Sequence, residues 1–419
     1  MRPRGTVGER RPSRRPILPH TALATACAIL LAACGGQGAT PDPGGSAAAD
    51  VSTAPASTSA PASAPAAAPA VGSSAPPGVA TAASCELPPL AFRAAQVLLV
   101  GIPGTTVEEG GDEVAAAGVG GILLFGPNLV DAAQVRSLTA GLQAAAEVPL
   151  AIATDEEPGR IGRLAAAGII PSTPTARDLG RKSAGAIRAA ATRIGREMAA
   201  LGLTVDLAPV LDVTGAAAGG VIGDRSFGSD PSRVAADGVA FIDGLRAAGV
   251  AAVGKHFPGH GETTVDSHTA LPVVDASLAT LRERALPPFA AAVDAAIPAI
   301  MLGHLRVDAV DPDRAATVSA KVVRLLRKEL GFAGLIMTDD MYMGGITERW
   351  DVPEAVELAL RAGADMVILS VPYRVDEVKA RIVDAVDAGR LKESRLDEAF
   401  LRVERFKGVD RWAACEAAP

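Results

Sequence analysis

The densest chemistry in this chain lies in fourteen consecutive residues, Lys255-His256-Phe257-Pro258-Gly259-His260-Gly261-Glu262-Thr263-Thr264-Val265-Asp266-Ser267-His268. The chain has only five histidines: His20 near its start, and His256, His260, His268 and His304 close together. A scattered set of structural histidines would not cluster in this way. The glycines and Pro258 exclude a helix, so the segment reads as an exposed loop. Imidazole, amine and carboxylate together suit metal ligation or proton transfer. The His256, His260 and His268 spacing fits no common zinc pattern, and His-x3-His ligation needs a helix that Pro258-Gly259 denies. No metal site is therefore expected. A second signal is Ile336-Met337-Thr338-Asp339-Asp340-Met341, an apolar run that ends in two acids. The alternative role for either aspartate is capping the next helix.

These groups need elements to position them. From residue 86 onward, apolar runs recur at Gln96–Gly101, Gly120–Phe125, Leu150–Thr154, Thr204–Ala208, Ala251–Gly254, Ala299–Gly303, Gly334–Thr338 and Asp365–Ser370. Each is continuous rather than alternating, as strands buried on both faces of a parallel sheet require. Helical spacing fills the gaps, for example at Asp131–Ala146, Ala186–Ala200, Arg233–Ala248, Leu278–Ala295, Ser319–Leu330 and Glu354–Ala362. The repeat predicts an α/β fold, a single (β/α)8 barrel of the TIM type. The rival is a doubly wound open sheet. No glycine-rich phosphate motif follows the first strand, so no nucleotide cofactor is expected. In a barrel, active groups sit where strands run into βα loops. Thr154-Asp155-Glu156, Pro209 with Asp212, Lys255-His256, His304 and Asp339-Asp340 all fall there.

The bulk composition is that of a globular protein with a large core, and a net charge of −7 argues against a nucleic-acid partner. The start of the chain reads as an address. Arg2, Arg4, Arg10, Arg11, Arg14 and Arg15 precede an apolar run from Ala22 to Ala33, too short to span a bilayer. Leu31-Ala32-Ala33-Cys34 resembles a bacterial lipobox. Residues 1–33 are thus expected to be a lipoprotein signal peptide and Cys34 the lipidated residue; a plain signal with a chance cysteine is the alternative. Residues 34–84, mostly Ala, Pro, Ser, Gly and Thr, are expected to form a disordered tether. Residues 85–419 are expected to form the barrel domain that carries the chemistry. Cys85 and Cys415 flank it. The ends of a closed barrel lie close together, and export permits a disulfide; a Cys85–Cys415 bridge is expected, with two free thiols as the alternative.

Several segments, in order, carry a resemblance. They are Gly121-Ile122-Leu123-Leu124-Phe125, Thr154-Asp155-Glu156-Glu157-Pro158-Gly159-Arg160, Leu207-Ala208-Pro209-Val210-Leu211-Asp212-Val213, Asp224-Arg225-Ser226-Phe227-Gly228, the Lys255–His268 stretch, Ala316-Thr317-Val318-Ser319 and Thr338-Asp339-Asp340-Met341. From residue 92 to about 408 the chain resembles glycoside hydrolase family 3, in particular its single-domain β-N-acetylglucosaminidases of the NagZ type. The resemblance implies that Asp339 is the nucleophile, His268 the general acid/base and Asp266 its hydrogen-bonding partner. It assigns Asp155, Arg163, Arg225, Lys255 and His256 to the sugar, and leaves Asp340 structural. An imidazole titrates near neutrality, and a neighbouring carboxylate orients it and stabilises its charged form. A neutral imidazole also leaves less negative charge beside an incoming anion than a carboxylate would, which opens a phosphorolytic side reaction.

The implied activity is exo-acting, retaining hydrolysis of terminal N-acetylglucosamine from peptidoglycan-derived fragments, without a cofactor. The enzyme would be a monomer held outside the cell membrane by its lipid. A β-glucosidase or phosphorylase of the same family, and a non-catalytic glycan-binding lipoprotein, are the other readings. One departure bears on the site. Pro158 stands where the family commonly has glycine, which is expected to reshape the loop beside Asp155. A milder change puts Glu262 in place of the family's aspartate.

Overall fold

The apolar runs pair in chain order. In this computed structural model, which describes residues 85–215, 220–263 and 265–416, they become eight parallel strands. These are β1 (Leu98–Gly101), β2 (Gly121–Leu123), β3 (Ala151–Thr154), β4 (Val205–Asp206), β5 (Ala251–Phe257), β6 (Ala299–Leu302), β7 (Leu335–Asp340) and β8 (Met366–Leu369). Each strand bonds to the next, and β8 bonds to β1, so the sheet closes into a barrel ringed by helices. The fold is the (β/α)8 barrel expected from the sequence, not an open sheet. The signal segment 1–33, Cys34 and the tether 34–84 lie outside the described residues. No helix among the described residues is long and apolar enough to cross a membrane.

Both strand faces are buried, but they serve different cores. Residues two apart point the same way along a strand. Leu99, Leu123, Ala151, Ala153, Val205, Leu207, Val253, Ala299, Met301, Leu335, Met337, Met366 and Ile368 fill the barrel interior. The alternate residues, such as Leu98, Val100, Ile122, Ile152 and Ile336, pack outward against the helices. Small residues let the helices approach closely. A Cβ at Gly244 would lie 2.5 Å from the Ala191 Cβ of the neighbouring helix. The C-terminal helix Glu393–Phe406 sends Val403 into the interior cluster and helps to stop the end opposite the active site.

The expected helix Leu278–Ala295 is broken. It runs as Leu278–Thr280, a wide turn at Leu281–Ala285, then Pro287–Asp294. Pro287 and Pro288 have no N–H to continue the helical ladder, and Leu286 N–H instead reaches back to Leu281 O.

Cys85 and Cys415 are joined by a disulfide, 330 residues apart in sequence. A crosslink closing so long a loop restricts the unfolded chain strongly, and removing it is expected to cost about 2–5 kcal/mol. Cys85→Ser should lower the unfolding midpoint in denaturant. An unchanged midpoint would show that the bond contributes nothing to stability.

Candidate active site

The two-residue period that fills the barrel also builds the site. On β7, Leu335 and Met337 face inward and Asp339 is next in that row. On β3, Ala151 and Ala153 lead to Asp155; on β5, Val253 leads to Lys255. The interior therefore changes from apolar to charged at its C-terminal mouth. A cavity of about 330 Å3 opens there. Leu123, Leu207, Met301 and Ile368 from the barrel interior give it an apolar floor.

One wall is a chain of ion pairs. Lys255 Nζ donates to Asp155 Oδ1 at 2.7 Å and lies 2.7 Å from Glu157 Oε1. Arg225 grips Glu157 with two parallel hydrogen bonds, Nε to Oε2 at 2.8 Å and Nη2 to Oε1 at 2.7 Å. Arg163 Nη2 stands 3.6 Å from Asp155 Oδ2. Burial alone would neutralise Glu157, but Arg225 and Lys255 outweigh it and hold its carboxyl well below the usual range. Burial likewise works against the Lys255 ammonium, and Asp155 and Glu157 reverse this, so it stays charged. Arg163 is placed by local capping. Glu156 accepts the Leu164 and Ala165 N–H groups at the first turn of helix Arg163–Ala166. Burial pushes the Glu156 carboxyl up to about 7.

Glu157 received no role from the sequence, although it lies two residues beyond Asp155. Glu157→Gln would leave Arg225 and Lys255 with much of their counter-charge gone inside the protein. Removing one partner of a buried pair typically costs about 3–5 kcal/mol. Lower thermal stability together with a raised KM is the expected outcome, read by melting curves and steady-state kinetics. Wild-type values for both would show that Glu157 does not hold the two cations.

A second buried carboxylate organises the histidines. Asp212 Oδ2 accepts His256 Nδ1–H at 2.7 Å and His256 N–H at 3.2 Å; Oδ1 accepts His260 N–H at 2.6 Å. His260 in turn places Nε2 3.2 Å from Ser267 Oγ. Here the structure corrects the reading of residues 255–268 as an exposed loop. β5 runs on through Lys255 and His256 to Phe257, and Lys255, His256 and His260 are buried. The Asp212 carboxylate and the Lys255 ion pairs supply the partners that burial demands. Only the later part, around Glu262 and Val265–Ala270, lies near the surface. Among the described residues, no three His, Cys, Asp or Glu side chains converge as metal ligands.

The exposed part carries a paired imidazole and carboxylate, His268 and Asp266. His268 Nδ1 lies 2.7 Å from Asp266 Oδ1, which also accepts the His268 backbone N–H at 2.9 Å. Burial disfavours the Asp266 anion, but the bonds and charge of His268 together outweigh it and hold the carboxyl below its ordinary value. An anionic Asp266 fixes the proton on Nδ1 and leaves Nε2 as the ring nitrogen free of that bond. Two glycines hold this loop: Gly344 N–H donates to His268 O and Gly345 N–H to Ser267 O, both at 3.0 Å. A Cβ at Gly344 would meet Thr269 O at 2.5 Å, so only glycine fits without displacing the loop.

Asp339 lines the cavity with His268. Its Oδ1 accepts the Asp340 N–H at 2.8 Å, leaving Oδ2 for chemistry. Burial opposes its ionisation, but His304, His256, that N–H and Lys255 together hold its carboxyl below the ordinary value. It is an anion at neutral pH. Asp340 is different. Its Oδ1 accepts the Ser370 and Tyr342 N–H groups, tying β7 to the start of the next loop, and burial pushes its carboxyl up. His304, at the end of β6, is buried between Thr317 Oγ1 at 2.7 Å and Asp340 O at 2.8 Å.

The structure thus gathers Asp155, Arg163, Arg225, Lys255 and His256 around the cavity that holds His268 and Asp339, with Asp266 behind His268. The Pro158 loop stays compatible with this. Pro158 is buried, Gly159 makes the turn with φ +88°, and Glu157 points inward. Arg160 points outward to Asp224 and Val221 O, each at 2.8 Å. Asp155 keeps its bond to Lys255.

Comparison with known proteins covers the barrel. Residues 92–406 match the glycosyl hydrolase family 3 N terminal domain. Beta-hexosaminidase LpqI of Mycobacterium tuberculosis is 38% identical over 330 residues, covering 75% of this chain and 82% of that protein. A beta-hexosaminidase of Idiomarina loihiensis is 32% identical, over 75% of this chain and 97% of its own length. Among solved structures, a family 3 beta-N-acetylglucosaminidase from Paenibacillus superposes with a TM-score of 0.74 at 35% identity; the match covers 80% of this chain and 64% of that one. With the barrel, the charged mouth and these matches in hand, the chain belongs to glycosyl hydrolase family 3, enzymes that hydrolyse O-glycosyl bonds.

Proposed function

We propose that this protein is an exo-acting, retaining β-N-acetylglucosaminidase that removes terminal N-acetylglucosamine from peptidoglycan-derived fragments outside the cell membrane. The observation that carries the reading is one small cavity holding an anionic carboxylate, Asp339, and an aspartate-backed imidazole, His268. The relatives' names as hexosaminidases support the sugar. The lipobox at Cys34 and the tether behind it support the location.

The cavity's size suits one terminal sugar. Its hydroxyls and acetamide would meet Asp155 as acceptor and Lys255, Arg163 and Arg225 as donors. Asp339 Oδ2 attacks C1 as the bond from C1 to the leaving oxygen breaks, and His268 Nε2–H gives its proton to that oxygen. A covalent glycosyl–Asp339 ester results. Water then attacks C1 while His268 Nε2 takes its proton, and Asp339 leaves as a carboxylate. Two displacements return the β configuration.

The test is a panel of aryl β-glycosides: N-acetylglucosaminide, glucoside and galactoside, with and without phosphate. The N-acetylglucosaminide should be turned over fastest, with N-acetylglucosamine as product. Faster glucoside cleavage would make it a glucosidase. Sugar phosphate as the main product would make it a phosphorylase. No turnover by folded protein would favour a glycan-binding lipoprotein.

A further inference from the structure

We propose that Tyr373, packed at a tilt against Tyr342, is the platform on which the leaving sugar of the substrate rests. The inference rests on the exo-hydrolase reading above. Aromatic residues make up 3% of the chain, and it contains only two tyrosines. Those two lie against each other, with ring centroids 5.5 Å apart. Tyr342 is mostly covered, whereas Tyr373 is 73% exposed. An exposed aromatic ring offers a flat, amphipathic face to a ligand.

The position fits a leaving group. The cavity is about the size of one sugar, so the second unit of a substrate must lie on its rim. Tyr342 follows the two aspartates of β7 directly, and its N–H donates to Asp340 Oδ1 at 3.3 Å. The next residue, Met343, lines the cavity. Gly344, one further on, bonds the carbonyl of His268. Tyr342 therefore stands on the segment that joins the end of β7 to the His268 loop, and Tyr373 packs against it. The loop that presents Tyr373 is fixed: the adjacent Arg374 donates to both oxygens of Asp351 and both of Glu377, all at 2.7–2.8 Å. A flat ring on a rigid loop offers area at little entropic cost, and it selects by the face of the sugar rather than by its hydroxyl pattern.

The experiment compares two substrates with one glycon. Chitobiose has a sugar as leaving group; N-acetyl-β-glucosaminyl fluoride has a leaving group too small to reach Tyr373. In the full chain, Tyr373→Ala should lower kcat/KM for chitobiose about tenfold, leave the fluoride unchanged, and be rescued by Tyr373→Phe. Equal loss on both substrates, or no loss on chitobiose, overturns the platform. Wild-type protein that cleaves neither substrate would instead overturn the hydrolase reading, and the platform with it.

Discussion

Asp339→Ala is expected to lower kcat by at least about 10^4-fold, equivalent to roughly 5.5 kcal/mol of transition-state stabilisation. The size follows from what the side chain does. In the proposed mechanism it supplies the bond that divides one difficult displacement into two, and the other carboxylates described around the cavity are engaged elsewhere. Asp155 is bonded to Lys255, and Glu157 is shared between Arg225 and Lys255. Asp340 accepts two backbone N–H groups and is pushed toward its neutral form by burial. Among these described carboxylates, only Asp339 combines an oxygen without a hydrogen bond and a carboxyl held anionic by His304 and His256. The alanine variant also leaves a space where a small anion can stand. Azide added with an aryl N-acetyl-β-glucosaminide should restore turnover and give the α-glycosyl azide, because one displacement inverts C1. A variant that keeps most of its activity would place the nucleophile elsewhere. Restored activity giving a β-azide would mean that another carboxylate still reacts first.

The barrel was legible because burial on both strand faces leaves continuous apolar runs, and eight such runs separated by helical spacing admit few other closures. Strand ends were less so. β5 was expected to stop at Gly254 because Lys255 and His256 are polar; the strand continues because Asp212, Asp155 and Glu157 supply their partners from other loops. No local rule contains that information. The residues that touch sugar in the proposed mechanism were legible from their motifs. Those that hold them were not. Glu157 and Asp212 were visible as acids near strand ends, but their pairing with Arg225 and with two histidines spans 68 and 44–48 residues of sequence. The same is true of the bonds from Gly344 and Gly345 to the His268 loop. Such bonds between backbone groups carry no side-chain signature, and only the glycine requirement hints at them.

The site separates two tasks by burial. Lys255, Glu157 and Asp212 are buried, where a low dielectric makes each ion pair strong and each geometry fixed, and Asp339 stands beside them, reached through the cavity. His268 and Asp266 sit near the surface, on a loop held mainly by backbone bonds. A group that must give a proton and later take one from water needs access to water.

That division makes the second large effect depend on the substrate. His268→Ala should lower kcat/KM by about 10^2–10^4-fold for chitobiose, whose leaving alkoxide must be protonated as it departs. With the glycosyl fluoride, which needs little proton assistance, the first step should be nearly unaffected. The second step still needs a base for water, so glycosyl–Asp339 should accumulate. A burst of fluoride equal to the enzyme concentration, followed by slow turnover, is the expected record. Mass spectrometry should find the intact chain heavier by one N-acetylglucosaminyl group. Asp266→Asn should produce a milder form of both effects, since it leaves the imidazole in place but removes the charge that fixes its Nδ1 proton. If His268→Ala slows both substrates equally and no ester builds up, His268 does not move the proton. Its bond to Asp266 would then serve only to shape the loop.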